Sequence, residues 1–192
     1  MPKYPESSAM KVREVFAEIE KDLGRALKEV SEAQIEDMVS KILGSRQIFL
    51  FGEGRSGLIA RAFAMRLMQL GLKAYFVGET ITPSIGTQDL LIICSGSGQS
   101  PVSYQIARTA RKAGAGLFLI TSSPQSPIGR LSQGYIKLTG PRKRAPAGLK
   151  TIQPLGSVFE QAMLILLDAV VVLLKERRKI REEDMLARHA NL

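Results

Sequence analysis

Two short segments of the 192-residue chain are rich in glycine and hydroxyl side chains. Residues 52–57 read GEGRSG, and residues 95–100 read SGSGQS. Glycines allow backbone N–H groups to approach a bound anion closely, and serine hydroxyls add further hydrogen-bond donors. Each segment follows a short apolar run and precedes a helical pattern. Both segments therefore predict a loop at a helix N-terminus that can hold a phosphate group.

The first segment fits more than one kind of ligand. Its glycines match the pattern G-x-G-x-x-G of dinucleotide-binding loops: Gly52, Gly54 and Gly57. Glu79 ends the second predicted strand, where such proteins place a ribose-binding carboxylate. Arg55 and Ser56, however, add a guanidinium and a hydroxyl that suit a sugar phosphate. This loop alone leaves three interpretations open: a dinucleotide site, a site for another phosphate-bearing ligand, and a structural turn.

The second segment favours phosphate. Ser100 is a good helix N-cap and so has a structural explanation, but Ser95 and Ser97 have none as simple. The segment contains no lysine, so it differs from the P-loop of nucleotide hydrolases. Its candidate phosphate-binding residues are Ser95, Gly96, Ser97, Gln99 and Ser100. Ligands of open α/β sheets bind beyond the carboxyl ends of the strands, so we expect both segments to face one ligand.

Strands and helices alternate around these loops. Apolar runs predict strands at residues 47–51, 74–77, 90–94, 117–121 and 134–138. Helical spacing of apolar residues predicts helices at 57–70, 100–113, 126–132, 156–178 and 181–190, and over 10–43 with interruptions at Gly24 and Ser31. Each strand is a continuous apolar run, which indicates a parallel sheet covered on both faces. The sequence therefore predicts an α/β fold with a five-stranded, flavodoxin-like parallel sheet flanked by helices.

Composition limits the remaining possibilities. Hydrophobic residues make up 45% and charged residues 23% of the chain, as in ordinary globular proteins. The single cysteine, Cys94, excludes an internal disulfide, and the single histidine, His189, excludes a histidine-based metal centre within one chain. The first residues lack the apolar core of a signal peptide, and the longest apolar stretch, 162–174, is too short to cross a bilayer. These features predict a cytoplasmic protein without a membrane partner.

The net charge of +9 indicates an anionic partner or a basic surface. Basic residues cluster at 137–150 and at 175–181. Solvated loop and helix surface is the simpler explanation of both clusters, and nucleic acid is the less favoured partner.

Several motifs resemble one family. GRSG and SGSGQS within an apolar α/β frame are similar to the SIS (sugar isomerase) domain. The segments at 77–83, 153–161, 166–171 and 185–192 read VGETITP, QPLGSVFEQ, LLDAVV and MLARHANL, and together they resemble the 6-phospho-3-hexuloisomerases of that family. The resemblance predicts a SIS domain at 45–178, between an N-terminal helical extension at 1–44 and a C-terminal helical tail at 179–192.

The resemblance implies an isomerase of the ribulose monophosphate pathway of formaldehyde fixation. Such enzymes interconvert D-arabino-3-hexulose 6-phosphate and D-fructose 6-phosphate, use no metal or organic cofactor, and are homotetramers with shared active sites. It implies that Glu160 is the base for a cis-enediolate mechanism and that His189 acts in the active site of a neighbouring subunit. We expect Arg55 to hold the substrate or neutralise the enediolate, and Glu79 and Thr80 to contact sugar hydroxyls.

Two other functions stay open at this point. A dinucleotide-dependent oxidoreductase would have an open crevice at the first loop and no use for Ser95, Ser97 or Glu160. A non-catalytic sugar-phosphate sensor would share the phosphate loop, but such regulators usually carry a DNA-binding helix-turn-helix. Residues 10–43 show no convincing motif of that kind.

Overall fold

Five parallel strands form one sheet in the computed structural model, which describes residues 10–140 and 151–191. The strands are β1 (Ile48–Gly52), β2 (Ala74–Phe76), β3 (Leu90–Cys94), β4 (Gly116–Thr121) and β5 (Gly134–Lys137). Their order in the sheet is β2-β1-β3-β4-β5. The predicted α/β fold with a five-stranded parallel sheet is confirmed, and every predicted strand end lies within one residue of the observed end.

Helices cover both faces of this sheet. In the part of the chain that is described they are α1 (Val12–Lys28), α2 (Glu32–Leu43), α3 (Gly54–Gln69), α4 (Pro101–Lys112), α5 (Pro127–Leu131), α6 (Ser157–Arg177) and α7 (Glu182–Leu186). The chain moves one way along the sheet from β1 to β2 and the other way from β3 to β5. Right-handed crossovers therefore place α3 on one face and α4 and α5 on the other. Helix α6 packs against α1, α2 and α3 on the first face.

Two helix predictions were wrong in detail. Gly24 lies within α1 and does not interrupt it, because the cost of one glycine in a helix, about 1 kcal/mol, is offset by the packing of α1 against α6. Ser31 does separate the first two helices, as the N-cap of α2. The predicted helix at 181–190 shrinks to α7, which has no buried residue. A short exposed helix gains too little from packing to extend further.

Helix α6 is longer than the apolar stretch that the sequence suggested. The helix has 21 residues, and an 18-residue apolar window within it has a mean hydropathy of 2.1. By length and composition alone it could therefore cross a membrane, contrary to the expectation from residues 162–174. However, 61% of the apolar window is buried inside the protein. This burial is typical of the core helix of a soluble domain, and the sheet and helices α1 to α3 explain the apolar composition.

The second basic cluster is largely neutralised by its neighbours. Lys175 pairs with Glu182, and Arg177 pairs with Glu36 of α2. Arg178 donates instead to a backbone carbonyl at the end of α3. These contacts favour the solvated helix surface as the explanation of residues 175–181. Most of the first cluster lies outside the described residues.

Candidate active site

A cleft of about 580 Å³ opens where β1, β3 and β4 end. Seven of the predicted site residues line it: Ser56, Ser95, Gly96, Ser97, Gln99, Ser100 and Glu160. The structure thus brings both glycine-rich loops and the first turn of α6 to one cavity. This position, beyond the carboxyl ends of parallel strands, is the usual ligand site of an open α/β sheet.

The glycines of the first loop allow α3 to pack closely against β1. A Cβ added to Gly57 would lie 2.3 Å from the carbonyl oxygen of Gly52, so a larger residue there would push the helix away. Gly54 has a φ of 57°, in the left-handed region that favours glycine. Close packing and backbone conformation therefore explain the G-x-G-x-x-G pattern without a dinucleotide.

The second loop is held by hydrogen bonds to the end of β4 and to the residue that follows this strand. The N–H of Ser95 donates to the carbonyl of Ile120 at 3.0 Å. The carbonyl of Gly96 accepts the N–H of Ser122 at 3.0 Å and its hydroxyl at 2.7 Å. Within the loop, the Ser95 hydroxyl accepts the N–H of Gly98 at 3.1 Å. These bonds fix the loop before any ligand arrives, so its donors are preorganised.

The front of this loop presents hydrogen-bond donors to the cleft. The N–H groups of Gly96, Ser97 and Ser100 donate to no other atom in residues 10–140 or 151–191. The Ser97 hydroxyl accepts the N–H of Gln99 at 3.3 Å, which leaves its own proton to donate. Such a cluster of N–H and O–H donors suits the oxygens of a phosphate group.

Glu53, which was not among the candidates from sequence, connects the two loops. Its carboxylate accepts the hydroxyl of Ser103 at 2.8 Å and also that of Ser100. Ser100 accepts in turn the N–H of Ser103 at 3.3 Å, as the predicted N-cap of α4. The Ser100 hydroxyl is therefore engaged by protein groups. The sequence signal for Glu53 was only its place between two glycines, where the dinucleotide pattern accepts any residue.

Glu160 contributes the carboxylate of the cleft from the first turn of α6. Its side chain is 7% exposed, and its Oε2 lies 2.6 Å from Nε of Arg55. The Arg55 side chain is 60% exposed and does not itself line the cavity. Both the helix N-terminus and the guanidinium stabilise negative charge on Glu160. The site thus contains a buried carboxylate paired with a cation that is exposed to solvent.

The segment before α6 is held by helix α1. Asp22 of α1, itself buried, accepts the Gln153 amide N–H at 3.3 Å and also the hydroxyl of Thr151. Leu155 follows with a φ of 54°, a strained conformation for a residue with a Cβ. These contacts tie the start of α6, and with it Glu160, to α1.

Besides Arg55, three predicted substrate-binding residues lie outside the cleft. Glu79 and Thr80 are exposed beyond the end of β2, and the Glu79 carboxylate accepts Nε–H of Arg61 at 3.3 Å. The Arg61 guanidinium also lies over the Phe76 ring, 3.6 Å from its centroid. Gly54 acts through its backbone conformation, as described above. The position of Glu79 thus follows from an ion pair on the edge of the sheet.

His189 lies near the last residue of α3, whereas the cleft lies near the first residues of that helix. The neighbouring Arg188 donates to the carbonyl of Gln69, the last residue of α3, and lies against Gly71. Helix α3 begins beside the cleft and its 16 residues span about 24 Å. His189 therefore cannot reach the cleft of its own chain.

Cys94 ends β3 at the floor of the cleft and is 1% exposed. Burial raises the pKa of its thiol to about 12. The thiol is therefore protonated at neutral pH and inert as a nucleophile.

Comparison with known proteins decides the family. A model of the SIS domain matches residues 41–172, which is more than half of the chain. The chain belongs to the SIS domain family. The match confirms a single SIS domain, while the exact bounds of the N-terminal extension and C-terminal tail stay predictions.

Several relatives of this SIS-domain protein are named for the same enzymatic activity. The chain is 40% identical over 184 residues to the 3-hexulose-6-phosphate isomerase of Bacillus subtilis, covering 95% of this chain and 100% of that protein. It is 37% identical over 159 residues to the enzyme of that name from Methanocaldococcus jannaschii, covering 83% and 84%. A crystal structure of a hypothetical protein from Methanococcus jannaschii, from which the same activity was inferred, has a TM-score of 0.82 and 32% identity, covering 92% of this chain and 98% of that one.

Proposed function

We propose that this SIS-domain protein is an isomerase that interconverts D-arabino-3-hexulose 6-phosphate and D-fructose 6-phosphate. The observation that carries the proposal is a cleft in which one buried carboxylate, Glu160, and a loop of N–H and hydroxyl donors line the same cavity. The names of relatives that align with most of the chain support the same activity.

Glu160 is suited to be the general base. Moving the carbonyl between C2 and C3 requires removal of a proton from one carbon and its return to the other through a cis-enediolate. One carboxylate on one face of the sugar can perform both transfers. Burial keeps Glu160 away from bulk water, and its contact with Arg55 fixes the direction of its oxygens. Arg55 also provides positive charge for the enediolate as it forms.

The loop at 95–100 is suited to hold the 6-phosphate. Its backbone N–H groups at Gly96 and Ser97 and the Ser97 hydroxyl supply neutral donors on a fixed frame. A phosphate held at this end of the cleft leaves the carbonyl end of the sugar to the first turn of α6. We expect the reaction to need no metal or organic cofactor.

The alternative functions receive less support from the same geometry. A dinucleotide-dependent oxidoreductase would use the first loop, but Gly52 and Gly57 there are in backbone contact for packing. It would also give no role to Glu160. A non-catalytic sensor needs the phosphate loop but no buried carboxylate beside an arginine. The isomerase uses both parts of the cleft.

We further propose a cytoplasmic homotetramer whose active sites are shared between subunits. Large apolar side chains are exposed on three helices that pack together, at Phe16 of α1, Leu58 of α3, and Leu164 and Val172 of α6. Such a surface favours association with another copy of the chain. His189, far from its own cleft, would then act in the cleft of a neighbouring subunit.

The proposal is tested with fructose 6-phosphate labelled with ¹³C at C2. The protein should convert the labelled carbonyl or hemiketal carbon into a carbinol carbon, since the carbonyl moves to C3, and NMR follows both signals. Appearance of an aldose phosphate would instead show transfer between C1 and C2. Absence of any new signal would contradict isomerase activity on this substrate.

A further inference from the structure

The cleft has an unusual charge for a site that binds an anionic substrate. Two carboxylates line it, those of Glu53 and Glu160, and no lysine or arginine does so among the residues that are described. Glu160 is paired with Arg55. Glu53 forms no ion pair within the described ranges, and its contacts are to neutral hydroxyls. Glu53 therefore leaves a negative charge uncompensated beside the proposed phosphate loop.

The contacts of Glu53 are at the start of α4, where a helix attracts anions. Its carboxylate accepts the hydroxyls of the N-cap residue, Ser100, and of Ser103 in the first turn. Ser103 is 1% exposed, so its hydroxyl has little access to water. Glu53 itself is exposed, and the next residue, Gly54, has a left-handed φ. The Glu53 carboxylate thus accepts hydrogen bonds from two hydroxyl groups next to the phosphate loop, although Glu53 is exposed to solvent.

We infer that Glu53 is an internal anion that competes with the substrate phosphate for the start of α4 and so determines which anions the cleft retains. The inference rests on the proposed function. An arriving phosphate either displaces the carboxylate or binds within its repulsive field. Inorganic phosphate gains only the donors of the loop, whereas a sugar phosphate also gains contacts of its hydroxyl groups. The competition lowers the affinity for the phosphate group of both ligands, so that a ligand without sugar contacts is the one that the cleft fails to retain.

The test measures binding of inorganic phosphate and of fructose 6-phosphate by calorimetry. The proteins are the unaltered chain, Glu53→Gln, Glu53→Ala and the control Glu18→Gln, which removes an exposed charge in α1. Glutamine keeps an acceptor for the hydroxyls but removes the charge, so it separates repulsion from loss of the contact. We expect both Glu53 variants to bind inorganic phosphate at least tenfold more tightly, and the control to stay within twofold.

Unchanged or weaker phosphate binding by both Glu53 variants would overturn the inference and make Glu53 a support of the loop. No measurable phosphate binding by any of the four proteins would overturn it as well. A different result addresses the proposed function: if the unaltered chain does not bind fructose 6-phosphate while phosphate binding tightens in the variants, the isomerase proposal fails and the role of Glu53 stands.

Discussion

The two ends of the sheet differ in how their polar groups find partners. At the carboxyl ends, the N–H groups of Gly96 and Ser97 have no partner, and the Glu53 carboxylate has no counter-charge, among residues 10–140 and 151–191. At the amino ends, buried Asp89 receives two N–H donors of Arg46 at 3.0 Å each and the N–H of Gly86 at 2.8 Å. Polar groups at the carboxyl ends of the strands are thus available to bind a ligand, whereas those at the amino ends pair with each other and stabilise the fold. Substitutions at the two ends should therefore separate activity from stability.

The largest effect is expected for Glu160→Gln. The amide preserves the shape of the side chain but cannot accept the proton, so turnover should fall by about 10²–10⁴-fold. Calorimetry should show that binding of fructose 6-phosphate is roughly preserved. Glu176→Gln is a matched control, because it makes the same change on the exposed end of α6. Near-normal turnover of Glu160→Gln would show that another group is the base.

Truncation after Met185 is expected to have the next largest effect. It removes His189 while leaving the described core intact, so turnover should fall by about 10²-fold with little change in Tm. Mixing the truncated chain with a Glu160→Gln chain should restore part of the activity, because hybrid sites combine an intact Glu160 with an intact His189. Full activity of the truncated protein would contradict a shared site.

Ser97→Ala probes the phosphate loop. Loss of one donor to a charged ligand should weaken binding of fructose 6-phosphate by about 1–2 kcal/mol, or roughly 5- to 30-fold in Kd. Ser45→Ala, at the amino end of the sheet, makes the same change where the hydroxyl donates to a backbone carbonyl. Equal affinities of the two variants would indicate that Ser97 belongs to a turn without a ligand.

The smallest effect is expected for Asp89→Asn, and it concerns stability alone. The hydrogen bond from Arg46 lowers the pKa of Asp89 in the folded protein, so the ion pair stabilises the fold at neutral pH. The variant should lose about 1 kcal/mol of unfolding free energy, since solvent screens the half-exposed Arg46.

The pH dependence of this loss in unfolding free energy follows from the direction in which the pKa of Asp89 is shifted. Because the pKa of Asp89 is lower in the folded than in the unfolded protein, its contribution to stability is complete above the pKa of the unfolded protein, which is near 4. The contribution is lost as the pH falls through the pKa of the folded protein. Denaturant titrations should show the full difference between the two proteins at pH 7 and a decrease in that difference as the pH falls below about 4. A difference that persists at low pH would assign the loss to packing.

The fold was predictable because its signals are local. Strands β1 to β4 contain unbroken apolar runs that lead into loops rich in glycine, serine or threonine, and this pattern predicts a parallel sheet with a ligand site at one edge. Gly24 was misleading because packing of α1 against α6 outweighs the local preference of one residue. The extent of α7 was overestimated because nothing buries it.

The site was only partly predictable because its pairs join distant positions of the chain. The contact between Arg55 and Glu160 and the contacts of Glu53 with the start of α4 depend on how loops from different strands meet. No spacing along the sequence encodes them. The distance of His189 from its own cleft depends likewise on the length of α3 and on the docking of Arg188.

Exchange of substrate hydrogen with solvent deuterium tests the central claim most directly. The protein is incubated with fructose 6-phosphate in D₂O, and deuterium at C2 and C3 is measured by NMR and mass spectrometry. Proton transfer through an enediolate by Glu160 predicts deuterium at these carbons with the unaltered chain and a rate reduced at least a hundredfold with Glu160→Gln. Equal rates of exchange, or equal turnover, by the two proteins would contradict the account.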